Sequence, residues 1–490
     1  MSFWDYLVLV VYAAAMLAVG RYYATRTQST DDYLLGGRNM SPLMIGLSLF
    51  ATLTSTLSYL AMPGEMIENG PMMFAQTAAL PFAAIVVGWA LIPFITRLPV
   101  TSGYELLEAK LGLVGRMLGS GMFLMLRAVW MASILYATSC KFIVPLFELD
   151  PKWAPYLAAA MGILTVIYTA EGGLRAVVVT DAMQSIIMFA GAIASVVVIQ
   201  RQLGGFDAWW PRAWQDHWEM PHFWPRVDAR VTFVTAFVNM FVWQVCTAGS
   251  DQMAMQRYLA TRDAGAARRS VFVHVIAETF IIALMALVGL AVLAYFRAHP
   301  ELLASGTSLT AQADTLFPRF IMIGLPAGLT GLVAAAVLSA AMSSLSSGMN
   351  SITAVVTTDF IWRFRRTPLD QAGQVKLARL ISLAVGAVAI GLSLVVSQIR
   401  GNLMDLCIKV VNLLTSPIFV LFFLAMFVPR ARPASAVAAT VASVSTAVAI
   451  AFYEVFGIRF MWAGLASLIV GIIVGTLVSL LPALDDRAQE

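Results

Sequence analysis

Apolar segments long enough to cross a lipid bilayer recur along the whole chain, with short polar stretches between them. A membrane-spanning helix needs roughly 20 mainly apolar residues, and about thirteen segments meet that length. They are centred near Tyr12, Thr54, Val86, Trp130, Gly162, Met188, Phe241, Leu284, Ala341, Val385, Leu414, Val444 and Ile469. Of the 490 residues, 60% are hydrophobic and 12% are charged; soluble proteins are about half apolar and a quarter charged. The sequence predicts an all-α, polytopic membrane protein whose residues 1–490 form a single domain in the lipid bilayer.

Positive charges are concentrated in alternate loops, such as 21–38, 97–116 and 363–379, and the loop that contains Arg257 belongs to the same set. Cytoplasmic loops carry this excess of lysine and arginine. We therefore expect a plasma (inner) membrane protein with its N-terminus outside and its C-terminus in the cytoplasm. The long outer loop 201–230 holds four arginines against this rule. Its tryptophans are typical of the headgroup level, and a lid over an outer vestibule is the alternative.

Several function classes find little support in the sequence. Three scattered cysteines and four histidines show no metal-site spacing, and no set of nucleophile, base and orienting group suggests an enzyme. The net charge of +4 resides in loops that set topology, so no nucleic-acid partner is expected. A sensor or a channel is the rival reading, but a sensor requires a signalling domain, and we expect none after the last apolar segment.

The stretch Ser48–Gly64 places six serine and threonine hydroxyls and a Pro-Gly step inside an apolar segment. Serine and threonine often only pack helices together, but this many favour a local break in the helix. A broken helix frees backbone carbonyls near the membrane midplane, where they can bind a cation. We therefore predict an ion and solute site at this stretch, with Pro63-Gly64 beyond the break, helping the helix to end.

Other polar groups interrupt apolar segments, and such groups are functional candidates. Asp181 follows a Gly-Gly step and is either a carboxylate at the inner interface or a cation ligand. Ser343, Ser344 and Ser347 share one helix face, which suits either close helix packing or a hard cation. Arg127 pairs with a buried carboxylate or binds the carboxylate of a solute.

Four peptides resemble the sodium:solute symporters, namely DDYLLGGRNMSPLMIGLSLFAT, GGLRAVVVTDAMQ, DQMAMQRYLATRD and SSLSSGMNS. That family includes sodium-coupled sugar, proline, pantothenate, iodide, monocarboxylate and sialic acid cotransporters. The resemblance implies a leucine-transporter-type core of two inverted five-helix repeats. The repeats are expected at about 40–200 and 230–427, with one extra helix at 2–20 and two at 434–482. It also implies a protein that works as a monomer.

The resemblance implies Na⁺ as the coupling ion and assigns its ligands position by position. The common sodium site matches the carbonyls of Ala51, Thr54 and Ala340 and the hydroxyls of Ser343 and Ser344. A second sodium site matches Asp181, with Ser344 and Ser347 beside it.

The solute positions differ from those of the sugar transporters, which present more polar and aromatic groups. The residues expected to bind the solute are Ser55, Ser58, Gln76, Arg127, Gln244 and Thr247. Arg127 with the two serines and Gln76 resembles the sialic acid type, in which an arginine holds the carboxylate. We therefore predict sodium-coupled import of a small carboxylate, most specifically sialic acid. Another solute (a monocarboxylate, proline, pantothenate or a sugar), or proton coupling through Asp181 or Glu278, is the alternative.

Overall fold

The computed structural model describes residues 1–97, 99–226, 229–303, 308–367, 369–396, 403–453, 455 and 460–482, without the side chains of 403–412. The described residues fold as an all-helical bundle. Its main helical segments are α1 (Phe3–Ala24), α2 (Pro42–Leu53), α3 (Thr56–Glu68), α4 (Pro71–Ile95), α5 (Glu105–Leu146), α6 (Pro151–Leu203), α7 (Phe233–Ser250), α8 (Gln252–Leu259), α9 (Ala264–Ala298), α10 (Ala313–Ile323), α11 (Leu329–Trp362), α12 (Gln371–Val396), α13 (Leu403–Phe427), α14 (Pro433–Tyr453) and α15 (Ala463–Leu480).

Ten of the described helical segments are long and apolar enough to cross a membrane, and the bent pair α2 and α3 makes an eleventh. The segment α6 covers two of the predicted spans and changes direction at Gly173, whose φ of 61° an L-residue rarely adopts. These features confirm a polytopic all-α membrane protein, and the count of thirteen spans stays a prediction.

The chain between α2 and α3 leaves the helical path for two residues. Thr54 and Ser55 adopt extended dihedral angles, and the two helices meet at 67°. The Ser55 hydroxyl accepts a hydrogen bond from the backbone N–H of Ser58 at 3.3 Å and so caps α3. The predicted break is confirmed. Pro63 and Gly64 lie inside α3, which continues to Glu68, so the expectation that they help to end the helix is wrong.

A second break separates α7 from α8. Asp251 has extended dihedral angles and ends α7, and its carboxylate caps α8 by accepting from the N–H of Met253 at 2.8 Å. Gly249 lies just before this break and packs against Leu91 and Phe419. The sequence therefore produces two discontinuous helices, and each brings free backbone groups into the bundle.

The helix α11 lies at the centre of the bundle. In its most apolar window 83% of the residues are buried, against 22% for α1 and 28% for α12. Both breaks and the kinked α6 lie near this helix: Thr56 of α3 donates to the carbonyl of Val337 at 3.2 Å, and Tyr168 of α6 to that of Met342 at 3.3 Å. The serines of α11 therefore lie where the broken helices expose their carbonyls.

Candidate functional site

The C-terminal end of α2 faces the serine-rich turn of α11. A helix leaves its last carbonyls without partners inside the helix, and here serines of α11 supply hydrogen bonds to them. Ser343 donates to the carbonyl of Ala51 at 2.8 Å, and Ser344 donates to that of Thr52 at 3.1 Å. Ser343 also approaches the carbonyl of Ala340 at 3.3 Å. The broken helix and the central helix are therefore joined through oxygen atoms.

Four of the five residues predicted for the common sodium site share these contacts: Ala51, Ala340, Ser343 and Ser344. The fifth, Thr54, is the first residue of the break and lines the adjacent cavity. Carbonyl and hydroxyl oxygens are ligands that a hard cation accepts. The cluster therefore has the donor chemistry of a sodium site, and its assignment as one stays a prediction.

Asp181 of α6 is fully buried, away from the interface that the sequence left open for it. Its Oδ2 accepts from Ser48 at 2.5 Å and from the guanidinium of Arg257 at 2.9 Å, and it lies 3.3 Å from the hydroxyl of Ser347. Its Oδ1 is buried with no hydrogen-bond partner among the described residues. The predicted second-site residues Asp181 and Ser347 therefore meet, while Ser344 contacts the first cluster.

Sequence reasoning missed Arg257. The loop assignment for this residue is wrong, because its side chain has no solvent exposure and lies in α8 between α2, α6 and α11. It also donates to Ser48 at 2.7 Å and contacts Ser347. The sequence does contain a signal for a buried arginine, since DQMAMQRYL places a charge among apolar residues. The concentration of basic residues in alternate loops explains that charge equally well.

A cavity of about 780 Å³ opens beside the first helix break and lies within the size range of small-molecule sites. Among the predicted solute residues, Ser58, Gln76, Arg127 and Thr247 line it. Thr52 and Thr54 line it too, so the cavity is continuous with the oxygen cluster. Thr247 is only 2% exposed, and none of the described residues hydrogen-bonds to its hydroxyl.

The other two predicted solute residues lie behind the cavity wall. Ser55 is fully buried and caps α3. Gln244 is 2% exposed and donates to Glu278 at 2.6 Å. Both are therefore positioned to support residues that line the cavity.

Arg127 pairs with Asp251, the residue at the second helix break. Its side chain is 8% exposed, and its Nε has no hydrogen-bond partner among the described residues. The structural pair that the sequence left open is therefore present. A buried guanidinium with an unused N–H at a cavity still has hydrogen-bonding capacity for an anion.

Glu278 also lines the cavity, from α9, and has two neighbours that the sequence did not reveal. Its Oε2 accepts from Gln244 and lies 3.1 Å from Nε2 of His274. All three side chains are buried. The cavity is therefore lined by an arginine and a glutamate, and each is positioned by buried partners: Asp251 for Arg127, and Gln244 with His274 for Glu278.

The loop between α6 and α7 covers one end of the cavity. Arg230 lines the cavity, hydrogen-bonds to Glu219 at 2.8 Å and forms an ion pair with Glu65 at the end of α3. Burial by itself lowers the pKa of Arg230, but these carboxylates outweigh burial and raise the pKa above its ordinary value. The loop also buries Trp209 and Trp218, while Trp224 is 71% exposed. The part of the loop that is tied to α3 agrees with the lid alternative, and we call it the lid. Trp224 has the exposure expected at the headgroup level.

At the opposite end of the bundle, Asp359 joins the end of α11 to α5. It accepts from Ser102 at 2.7 Å, from Ser120 at 2.6 Å and from Arg116 at 2.6 Å. Arg116 in turn pairs with Glu108 at 2.7 Å. This buried network closes the end of the bundle that lies away from the lid.

The chain matches a known protein family and several known proteins over most of its length. The model of the sodium:solute symporter family matches residues 33–443. The sodium-dependent multivitamin transporter of Oryctolagus cuniculus is 31% identical over 442 residues, which are 88% of this chain and 68% of the relative. The sodium/sialic acid symporter NanT of Aliivibrio fischeri is 27% identical over 96% of this chain and 92% of its own.

One solved structure matches nearly the whole fold. A Na⁺-coupled sialic acid symporter in a substrate-bound, outward-open state has a TM-score of 0.85 and 25% sequence identity, with 98% of each chain covered.

Proposed function

The chain belongs to the sodium:solute symporter family, and from this premise we propose that it imports a carboxylate-bearing organic solute with Na⁺ by alternating access. It is a multi-pass membrane transporter with a leucine-transporter-type fold, and not an enzyme. Sodium coupling is a property of the family and of its relatives. The solute, the ligands and the orientation are proposed below.

The first Na⁺ lies between the end of α2 and the centre of α11 in this proposal. The carbonyls of Ala51 and Thr54 approach it from the break, and Ala340, Ser343 and Ser344 approach it from α11. The support is the hydrogen bonds that already join these two elements. A bound cation replaces the serine protons as the link and holds the break in one geometry.

The second Na⁺ is proposed beside Asp181, with Ser344 and Ser347. The unpartnered Oδ1 of Asp181 offers an anionic oxygen in the membrane interior, where an unsatisfied charge is costly. Arg257 already neutralises Oδ2, so this ion shares the carboxylate with a guanidinium. We expect the second ion to bind more weakly than it would to a free carboxylate.

The solute carboxylate is proposed to bind Arg127, and this residue is the observation that carries the assignment. Arg127 lines a cavity that reaches the helix break, and its buried Nε has no hydrogen-bond partner among the described residues. Ser58, Gln76 and Thr247 line the same cavity and supply neutral hydrogen-bonding groups, with Ser55 and Gln244 supporting the wall. Relatives named for sialic acid and monocarboxylates agree with an acidic solute, and we propose sialic acid as the first to test.

We propose that the lid faces the exterior of the plasma membrane and that the Asp359 network faces the cytoplasm, with the N-terminus outside. The cavity then opens outward. Moving one charge inward releases about 2.3 kcal/mol per 100 mV. One Na⁺ and one solute carboxylate together carry no net charge, so a one-to-one cycle gains only from the Na⁺ gradient, and a roughly tenfold gradient, worth about 1.4 kcal/mol, supports roughly tenfold accumulation. The second Na⁺ gives the cycle one net positive charge, and the membrane potential then adds to the driving force.

Proteoliposome uptake of labelled sialic acid under an inward Na⁺ gradient tests this function. We expect saturable uptake with Na⁺ and loss of it when choline replaces Na⁺. Uptake that persists without Na⁺ and follows pH would favour proton coupling. No uptake of sialic acid, pyruvate or proline would overturn the proposed carboxylate solute.

Arg127→Gln tests the carboxylate contact, but it strands Asp251 as an unpaired buried charge. The double variant Arg127→Gln with Asp251→Asn removes both charges and is the matched control. We expect neither variant to take up sialic acid, whereas Asp251→Asn alone keeps uptake because the guanidinium remains. Uptake by the double variant at the wild-type rate would remove Arg127 from the solute site.

A further inference from the structure

Glu278 is a charged group inside the proposed solute cavity that the transport cycle does not use. It lines the cavity and is only 6% exposed. Gln244 and His274 both contact Oε2. Among the described residues, none hydrogen-bonds to the second oxygen, Oε1. A carboxylate at this depth is costly unless its oxygens find donors.

One face of α7 positions both charged ends of the cavity. Gln244, Thr247 and Asp251 are three and four residues apart, so their side chains follow one stripe of the helix. Gln244 holds Glu278, Thr247 lines the cavity, and Asp251 holds Arg127. Seven residues span roughly 10 Å of helix axis. The arginine and the glutamate are thus separated along α7, and between them lies the Thr247 hydroxyl, to which none of the described residues hydrogen-bonds.

Charges at the cavity wall disfavour a bare anion. Arg127 is paired with Asp251, and Arg230 is paired with Glu65 and Glu219. The carboxylates that line the cavity without an ion pair to arginine or lysine among the described residues are Glu68, Glu278 and Asp314. A negative cleft repels anions unless other contacts compensate. A solute whose only polar group is one carboxylate lacks such contacts at the Glu278 end.

We propose that Glu278 is a second recognition point, which accepts hydrogen bonds from N–H or O–H groups of the solute. The proposal rests on the proposed function and narrows it. The transporter selects carboxylates that also carry donors at a distance from the carboxylate. Small carboxylates without donors bind weakly. Gln244 and His274 are positioning residues that fix the orientation of Glu278.

Ligand-induced thermal stabilisation of the purified transporter tests this assignment, since a ligand that binds the folded state stabilises it. The probes are sialic acid, with O–H and amide N–H donors; proline, with an ammonium donor; pyruvate, a carboxylate without donors; and glucose, with O–H donors only. Each is titrated in NaCl and in choline chloride. The variant is Glu278→Gln, and Glu68→Gln is the matched control because it removes the same charge from an exposed part of the cavity.

We expect Glu278→Gln to weaken the binding of the donor-bearing solute by about tenfold or more, as the loss of a charge-assisted hydrogen bond implies. Pyruvate binding is weak in the wild type and is not weakened in the variant, because Glu278 only repels this anion. Glu68→Gln relieves the same kind of repulsion but removes no contact at the Glu278 end, so it does not weaken the binding of any probe. If Glu278→Gln does not fold, Glu278→Asp keeps the charge and shortens its reach, and a selective loss of affinity for donor-bearing solutes is again expected.

Equal binding of sialic acid or proline to the wild type and to the folded Glu278 variant would overturn the proposal, as would pyruvate binding as tightly as the donor-bearing acids. If the Glu278 variant weakens the binding of glucose and none of the acids binds to the wild type, Glu278 is still a recognition point but the solute is not a carboxylate. If Arg127→Gln weakens the binding of sialic acid and the Glu278 variant does not, the proposed function stands and the role of Glu278 in recognition is overturned. If none of the four probes stabilises the wild type, both assignments fail.

Discussion

Serine and threonine hydroxyls make most of the polar contacts at the first helix break. They are neutral, so they can satisfy carbonyls when no ion is bound and turn their lone pairs toward a cation when one arrives. Ser343 and Ser344 do the first of these in the structure. The same side chains therefore suit both the ion-free and the ion-bound state of a transport cycle. A charged side chain would suit the ion-free state less well, because its charge would then lack a partner.

Ser344→Ala removes one proposed oxygen ligand without a large change in volume. We expect the Na⁺ concentration for half-maximal uptake to rise by about tenfold, the loss typical of a contact to a charged group. Proteoliposome uptake against Na⁺ concentration measures it. Ser346→Ala is the control, because Ser346 donates to the carbonyl of Ser343 within α11 and should leave Na⁺ activation unchanged. An unchanged Na⁺ requirement in Ser344→Ala would contradict its assignment.

Arg257→Gln leaves Asp181 as a buried carboxylate with no cationic side chain. Breaking a buried ion pair from one side costs about 3–5 kcal/mol, so we expect a large fall in melting temperature. Asp181→Asn added to Arg257→Gln removes both charges and should recover most of the loss. Thermal unfolding of the purified single and double variants measures this coupling. Arg262→Gln, at an exposed arginine nearby, should change the melting temperature little. If the falls in melting temperature from the two substitutions add up in the double variant, Arg257 and Asp181 do not stabilise the protein as a pair.

Whether a site residue can be predicted from the sequence depends on its chemistry and on its place in an apolar segment. Asp181 and Arg127 are visible in the sequence because a lone charge in an apolar segment has few explanations. Their partners Arg257 and Asp251 are charged residues among apolar ones too, but each lies near the end of a segment, where a charge at the interface is an equally good explanation. Gln244 was assigned to the solute because the sequence shows a polar residue but not the direction of its side chain.

Two broken helices define the site at the scale of the elements. The first break was predictable because hydroxyl-rich sequence weakens a helix and Ser55 provides a cap. The second break was signalled only by Gly249, and it falls two residues later at Asp251. The expectation that Pro63 and Gly64 help to end the helix fails because a proline can remain within a helix when tertiary packing holds it. Here Gly64 packs closely against Asp314.

The lid gives a prediction at this scale. Glu65→Gln weakens the ion pair between α3 and Arg230 of the loop, so we expect faster hydrogen exchange in 210–226 with the helices unchanged. Exchange measured by mass spectrometry reports it directly. Arg212→Gln alters an exposed arginine of the same loop and should leave exchange unaffected. If both variants exchange like the wild type, the ion pair does not hold the lid.

At the scale of the whole molecule, the lid lies at one end of the cavity and a buried network lies at the other end of the bundle. The lid residues and the Asp359 network lie on different elements. Asp359 lies at the end of α11, and the serines of α11 face the first helix break. Alternating access requires the two ends to open in turn, which large, mutually exclusive contacts can enforce. The sequence reveals the family and the spans, but it does not show which end is closed, because that depends on pairs such as Arg116 and Asp359 that are far apart in the chain.

Asp359→Asn tests whether this network holds the closed end. The amide keeps the shape but loses the charge that binds Arg116 and two serines, so the population with that end open should rise. We expect faster hydrogen exchange in 99–110, and lower steady-state solute accumulation because solute returns through the opened end. Asp370→Asn is the control, since Asp370 is exposed and only caps a neighbouring turn. Normal accumulation with unchanged exchange in Asp359→Asn would mean that the network is structural only and that other contacts close the molecule.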